Sequence, residues 1–130
     1  MRELSFFLPM IPPTVTAQEH KITTRGKPHT YEPPELREAK AKLEAHLAAH
    51  APATPYNGPL RLIVKWLFPR GSHPNGSWKT SRPDTDNLQK ALKDIMTKLH
   101  FWHDDAQVAS EIIEKFWAET TGIYIEVIPL

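Results

Sequence analysis

The strongest apolar alternation in the chain is "PLRLIVKWLFP", where Leu60, Leu62, Val64, Trp66 and Phe68 fall on one side of an extended strand and Pro69 stops it. "ELSFFLP" reads as a short first strand ended by Pro9. The period changes to 3.6 in two places. In "PPELREAKAKLEAHLAAH", Leu36, Ala39, Leu43 and Leu47 form a helical stripe behind prolines that a helix start tolerates. From Asp86 onward, Leu88, Ala91, Leu92, Ile95, Met96 and Leu99 form a second stripe. "FWHDDAQ" breaks that helix, "VASEIIEKFWAE" alternates as a strand, and "TTG" predicts a turn into "IYIEVIPL", so an antiparallel hairpin is expected to close the chain. The segment "MIPPTVTAQEHKITTRGKPHTYEPP" shows neither period and is expected to be a long loop. "RGSHPNGSWKTSRP" is turn chemistry throughout.

The order strand, helix, strand, helix, strand, strand implies an α+β fold: a single domain spanning residues 1–130, with a mixed β-sheet and two main helices packed on one face. A chain of 130 residues that is 40% apolar suits one core. No apolar stretch reaches the roughly 20 residues of a membrane span, and "MRELSFFLPM" lacks a secretory cleavage pattern. The expectation is a soluble cytoplasmic protein with no membrane partner. The absence of cysteine excludes disulfides and thiolate metal sites, which leaves oxygen or histidine ligands for any metal. A net charge of +1 is no global signature of nucleic-acid binding, but residues 61–98 hold eight Lys and Arg against three Asp. Arg70, Lys79 and Arg82 in that stretch are candidates to contact a polyanion. Lys21, Arg25 and Lys27, with His20, are candidates in the proline-rich segment.

The chemistry concentrates further on. All five aspartates (Asp84, Asp86, Asp94, Asp104, Asp105) lie within residues 82–108, whereas the ten glutamates spread from end to end. Asp84 precedes the second helix and Asp86 opens it. Alone, such a pair reads as an N-cap, since Asp is among the best capping residues. Lys90 shares a helical face with Asp86, and an ammonium within reach of two carboxylates can neutralise one or hold a phosphate oxygen. Asp104 and Asp105, taken alone, read as a solvated turn. The two pairs flank one helix, so they meet only if the turn after it folds back.

"DTDNLQKALKDIMTKLHFWHDDAQV" resembles the signature of the RusA family of Holliday-junction resolvases: D-x-D-N-x-x-K, a helix, then G-[FIV]-[WY]-x-D-D-x-Q. "LPMIPPTVTAQ" is similar to the proline-rich segment after the first strand in phage-type members. The resemblance implies a small homodimeric, Mg²⁺-dependent endonuclease, with Mn²⁺ substituting, that binds four-way junction DNA and nicks opposing strands. By the same matching, Asp84 and Asp86 are implied metal ligands, Asp105 the third catalytic carboxylate and Lys90 the catalytic lysine. Asn87, Gln89 and Gln107 match positions of supporting roles. Asp104 is expected to face outward and cap the turn around Ala106 and Gln107, because neighbours in an extended segment point to opposite sides. Two departures stand out: His100 occupies the usual glycine position, which predicts an altered turn, and "SWKTSRP" is less basic than the corresponding approach in some members.

The residue types agree with that chemistry. Hard carboxylates hold Mg²⁺ while leaving positions for water and phosphate, and crowding three of them is repulsive without a cation. Two other classes are weighed: a non-catalytic DNA-binding protein of the same fold, and a general metal-dependent nuclease or phosphohydrolase. The His103-Asp104 doublet also occurs in HD-type phosphohydrolases, an all-helical class that the strand segments disfavour. Phe101 and Trp102 are expected in the core beside the helix end.

Overall fold

In the computed structural model, the backbone is described for residues 2–15, 20–24 and 27–130, and side chains for 2–15 and 32–130. The first strand, β1 (Leu4–Leu8), is followed by β2 (His20–Thr24), β3 (Lys27–Tyr31), helix α1 (Pro34–Ala48) and the long strand β4 (Leu60–Pro69). Helix α2 (Thr85–Lys98), a 3-10 turn at Asp105–Gln107, β5 (Val108–Ala118) and β6 (Gly122–Pro129) complete the chain. Four strands form one mixed sheet in the order β1-β6-β4-β5; β5 runs parallel to β4, and the other pairs are antiparallel.

Alternation in β4 is complete: Leu60, Leu62, Val64, Trp66 and Phe68 are buried while their neighbours are not. Ile123, Ile125 and Val127 of β6 and Phe6 and Leu8 of β1 lie in register with them on the same face. Onto this face pack Leu36, Leu43 and Leu47 of α1 and Leu88, Leu92, Ile95 and Met96 of α2, so the expected two-helix, one-face architecture is present. Phe101 and Trp102 are fully buried beside the end of α2, as expected of that aromatic pair.

Two expectations are corrected. Residues 20–31 include a two-stranded antiparallel ribbon, β2 with β3, where a loop was expected. Its sequences "HKITT" and "KPHTY" contain one aliphatic residue between them, so hydrophobic periodicity has nothing to report, while the β-branched threonines and Ile22 favour extended backbone. The closing hairpin also does not form. β6 pairs with β1 and β4, and β5 lies on the far side of β4 at the sheet edge. The strand chemistry accounts for the exchange: β6 presents three buried aliphatics to neighbours on both sides, whereas β5 carries Glu111, Glu114 and Lys115, which suit an edge. The parallel β4-α2-β5 crossover sets α2 between two adjacent strands.

Candidate functional site

Both ends of α2 are built with care, and each end carries part of the acidic window. At the start, Asp84 is the extended N-cap residue, with φ −72° and ψ 148°, yet its carboxylate makes no capping bond. Only its carbonyl serves the helix, accepting from Leu88 N at 3.2 Å. Asp86 follows in the first turn, where exposed N–H groups favour an anion. The loop leading in is fastened by two lysines. Lys115 Nζ donates to the carbonyls of Ser81 and Pro83, both at 2.8 Å. Lys79 Nζ donates to Ser81 Oγ at 2.8 Å and sits over the Trp117 and Phe68 rings, 4.0 and 5.0 Å from their centroids. Burial, and then the neighbouring Lys115 charge, hold the Lys79 ammonium below its usual pKa.

At the other end the chain reverses in a Schellman turn, with Phe101 N donating to Met96 O and His100 N to Thr97 O, both at 3.0 Å. His100 itself takes the left-handed conformation, φ 61°. The turn expected to be altered by this residue is therefore closed in the geometry that glycine adopts readily, with a histidine bearing the strain. Trp102 Nε1 donates to Thr97 Oγ1 at 2.7 Å, which ties the segment back to the helix.

Asp104 and Asp105 then part company. Asp104 caps the 3-10 turn, its Oδ1 accepting from Ala106 N at 2.9 Å, as expected for the outward member of the pair. Gln107 completes the capping box and does more. Its Oε1 accepts from His103 N at 2.8 Å and Asp104 N at 3.0 Å, while its Nε2 donates to Tyr56 O at 3.0 Å and Gly58 O at 2.9 Å. Every hydrogen-bonding position of one carboxamide is aimed at backbone. The turn is thereby pinned to the segment before β4, and Asp105 is left half-buried with its side chain toward α2.

The result is an open groove of about 390 Å³ lined by Asp86, Gln89, Lys90, Lys93 and Asp94 of α2, by Asp105, and by Glu111 and Ile113 of β5. Three of the four expected site residues, Asp86, Lys90 and Asp105, are brought together here; Asp84 is exposed at the helix start and does not line the groove. Lys93 pairs with Glu111 at 2.5 Å, linking helix and strand across the groove. Gln89 is 2% exposed, and both its amide nitrogen and oxygen are buried without a partner among the described residues. Oxygen donors, no thiolate and no imidazole make a donor set that fits a hard cation, and an unpartnered carboxamide beside it fits the hydration that such a cation carries. Among the described residues, no group of three carboxylates or imidazoles converges closely enough to hold a metal ion.

The expected basic contacts divide three ways. Lys21, Arg25 and Lys27, with His20, lie outside the residues whose side chains are described. Arg82 is exposed just before the helix, and Arg70 is turned to Glu119, 3.5 Å away, and to the His73 carbonyl at 3.1 Å. Lys79 lies beneath the loop, its ammonium engaged by Ser81 and two aromatic faces. A lysine in a turn-rich sequence reads as exposed because nothing local announces that two rings converge on it from distant strands.

Glu111, Lys93 and Lys115 were not singled out by the sequence. For the two on β5 the signal lies in register: Glu111, Ile113, Lys115 and Trp117 share the helix-facing side of that strand, where two charged residues out of four mark a site or an edge.

An acidic groove flanked by lysines, where a helix start meets a returning turn, sets carboxylate oxygens beside ammonium groups. The family model described as "Endodeoxyribonuclease RusA" matches residues 11–128, and the chain belongs to that family of endodeoxyribonucleases. Among curated relatives, it is 39% identical over 88 residues to "Crossover junction endodeoxyribonuclease rusA" of Lactococcus phage r1t, covering 65% of this chain and 67% of that protein. It is 28% identical over 112 residues to "Uncharacterized protein YqaN" of Bacillus subtilis, covering 77% of this chain and 78% of that protein.

Proposed function

We propose that this protein resolves four-way (Holliday) DNA junctions by paired nicks, hydrolysing phosphodiesters with a Mg²⁺ ion held by Asp84, Asp86 and Asp105 and with Lys90 at the phosphate. One observation carries the reading: Asp86, Lys90 and Asp105, which come from the first turns of α2 and from the turn after it, line one groove in a chain of an endodeoxyribonuclease family. When bound, Mg²⁺ supplies positive charge that polarises a phosphate oxygen and makes water a better nucleophile near neutral pH. Asp86 and Asp105 offer carboxylates from opposite walls, and the uncapped Asp84 carboxylate is free to turn toward them. Lys90, one turn beyond Asp86, brings an ammonium that offsets charge developing on the phosphate oxygens. Mn²⁺, another oxygen-seeking cation, substitutes. Arg82, beside the helix start, and Lys21, Arg25 and Lys27 contact the DNA backbone. The phage relative's name carries a crossover junction, which supports this reading, and a protein acting on such DNA works in the cytoplasm.

Two cuts on a two-fold junction are most simply made by two symmetry-related copies, so the active form is a homodimer. The sheet face opposite the helices favours this. It carries Ile63, Leu67, Ile112 and Phe116, with Ile112 43% exposed and Trp78, 62% exposed, stacked on Phe116 at 4.6 Å. The decisive experiment is nicking of a synthetic four-way junction against linear duplex, with Mg²⁺ or with EDTA. Paired, Mg²⁺-dependent cuts in the junction are expected. Equal cutting of both substrates would make the protein a general nuclease, and binding without cutting would make it a non-catalytic junction binder.

A further inference from the structure

We propose that Gln89 is a positioning residue for the cation: its carboxamide, unpartnered among the described residues, is set to hydrogen-bond the water that a divalent ion held by Asp86 and Asp105 would carry. This rests on the cation reading above and adds to it a residue that touches the water around the ion. Three observations carry it. Asp86, Gln89, Lys90 and Lys93 are spaced at three, four and seven residues, so they form one stripe along α2 that faces Asp105 and Glu111. The Gln89 side chain is 2% exposed, and neither of its polar atoms has a partner among the described residues. Beside it stand Leu88 and Leu92, and Ile113 lies across the groove, so a leucine or methionine would fill this position at lower cost. A buried carboxamide kept where an apolar side chain would fit points to a partner that arrives later. It offers one donor and one acceptor face, which matches water molecules whose orientation a cation has fixed, whereas a bare carboxylate could only accept.

The test compares wild type, Gln89→Met and Gln89→Glu by melting temperature in EDTA and in Mg²⁺, by Mn²⁺ affinity from the electron paramagnetic resonance of free Mn²⁺, and by kcat and KM on a junction. Gln89→Met is expected to melt about 3–6 °C higher in EDTA, since it relieves an orphaned amide. Its Mn²⁺ Kd should rise about tenfold, the size of effect seen when a residue supporting metal ligands is lost, and kcat should fall with KM little changed. Gln89→Glu should melt lower than wild type in EDTA and gain more from Mg²⁺ than wild type does, a pairing that a purely structural glutamine would not produce. A lower melting temperature for Gln89→Met in EDTA would show that the amide already has partners, and would overturn the proposal. Unchanged Mn²⁺ affinity in Gln89→Met, with wild type binding Mn²⁺, overturns the role of Gln89 alone. If wild type binds no Mn²⁺, the cation reading falls and takes this proposal with it.

Discussion

Replacing Gln107 by leucine should unfasten the turn that carries Asp105, and the size of the effect follows from its four hydrogen bonds. Leucine keeps much of the volume and removes all polar contact. Three of the lost bonds, to His103 N, Asp104 N and Gly58 O, lie at exposed positions, where water takes over and the net loss is about 0.5 kcal/mol each. The fourth, to Tyr56 O, is partly buried and is worth about 1 to 1.5 kcal/mol. The sum is about 2.5–3 kcal/mol, which for a domain of this size lowers Tm by about 10 °C. Gln107→Glu is the sharper probe. It retains acceptors for His103 N and Asp104 N but turns a carboxylate onto the carbonyls of Tyr56 and Gly58, so it should cost at least as much as leucine although it keeps half the contacts.

The assay is urea unfolding followed by fluorescence of the four tryptophans, with melting in parallel and junction nicking measured well below the melting point. Both variants should lose turnover even where fully folded, because Asp105 no longer has a fixed position. If Gln107→Leu unfolds within about 0.5 kcal/mol of wild type, the bonds are not holding the turn. If it is destabilised but nicks at the normal rate once folded, the turn does not set the position of Asp105, and the structural and functional parts of the argument separate.

Four shorter predictions follow from the same geometry. Asp105→Asn should abolish nicking with little change in Tm, whereas Asp104→Ala should cost about 1 kcal/mol through its cap and retain most activity; the reverse pattern would assign the metal to Asp104. His100→Gly should stabilise the protein by about 0.5–1 kcal/mol by relieving the positive φ while keeping the turn, and a loss of stability in melting would show that the imidazole makes contacts worth more than the strain. The Tyr56 hydroxyl, which donates to Arg2 O at 2.6 Å, is held above the ordinary tyrosine pKa by burial and then by Glu3, so its contribution is complete below pH about 10 and is lost as pH rises through the folded-state value. Tyr56→Phe should therefore flatten the alkaline decline of Tm, and an unchanged slope would refute the assignment. Placing a charge at Ile112 on the open sheet face, as Ile112→Arg, should give a folded monomer by light scattering that leaves singly nicked junctions; a persistent dimer would move the interface elsewhere.

How much of this was legible in the sequence depended on whether the information was local. β4 and both helices were legible because a long, strictly periodic apolar face reports its own element: Leu60 to Phe68 alternate without a break, and Leu88, Leu92, Ile95 and Met96 keep the helical spacing. Strand pairing is not local. "TTG" between two strands reads as a hairpin turn, and only the competition between β5 and β6 for the place beside β4 decides otherwise, through the charges on β5. The ribbon at residues 20–31 escaped for a different reason, since backbone pairing without an apolar face leaves no periodic trace.

The site divides along the same line. Asp84, Asp86, Lys90 and Asp105 were marked by the resemblance to the family signature, and adjacency added only that one of Asp104 and Asp105 would face the helix while the other capped the turn. Gln107 was marked only as a supporting position, and neither its partners nor those of Lys79 could be read, because they lie about fifty residues away or are rings from other strands. The helix needs different supports at its two ends. At its start, an anionic Asp86 is favoured by exposed N–H groups, so the loop before it has only to be held by Lys115 and Lys79. At its end no such field exists to draw Asp105 back toward Asp86, and two carboxylates repel. The return must then be forced mechanically, by a Schellman turn strained at His100, an indole bond from Trp102 to Thr97, and a glutamine that anchors to Tyr56 and Gly58. Stability spent on a reversal that brings like charges together is explained if a cation joins them, which is why the scaffold around Asp105, more than the aspartates themselves, argues for a site rather than a turn.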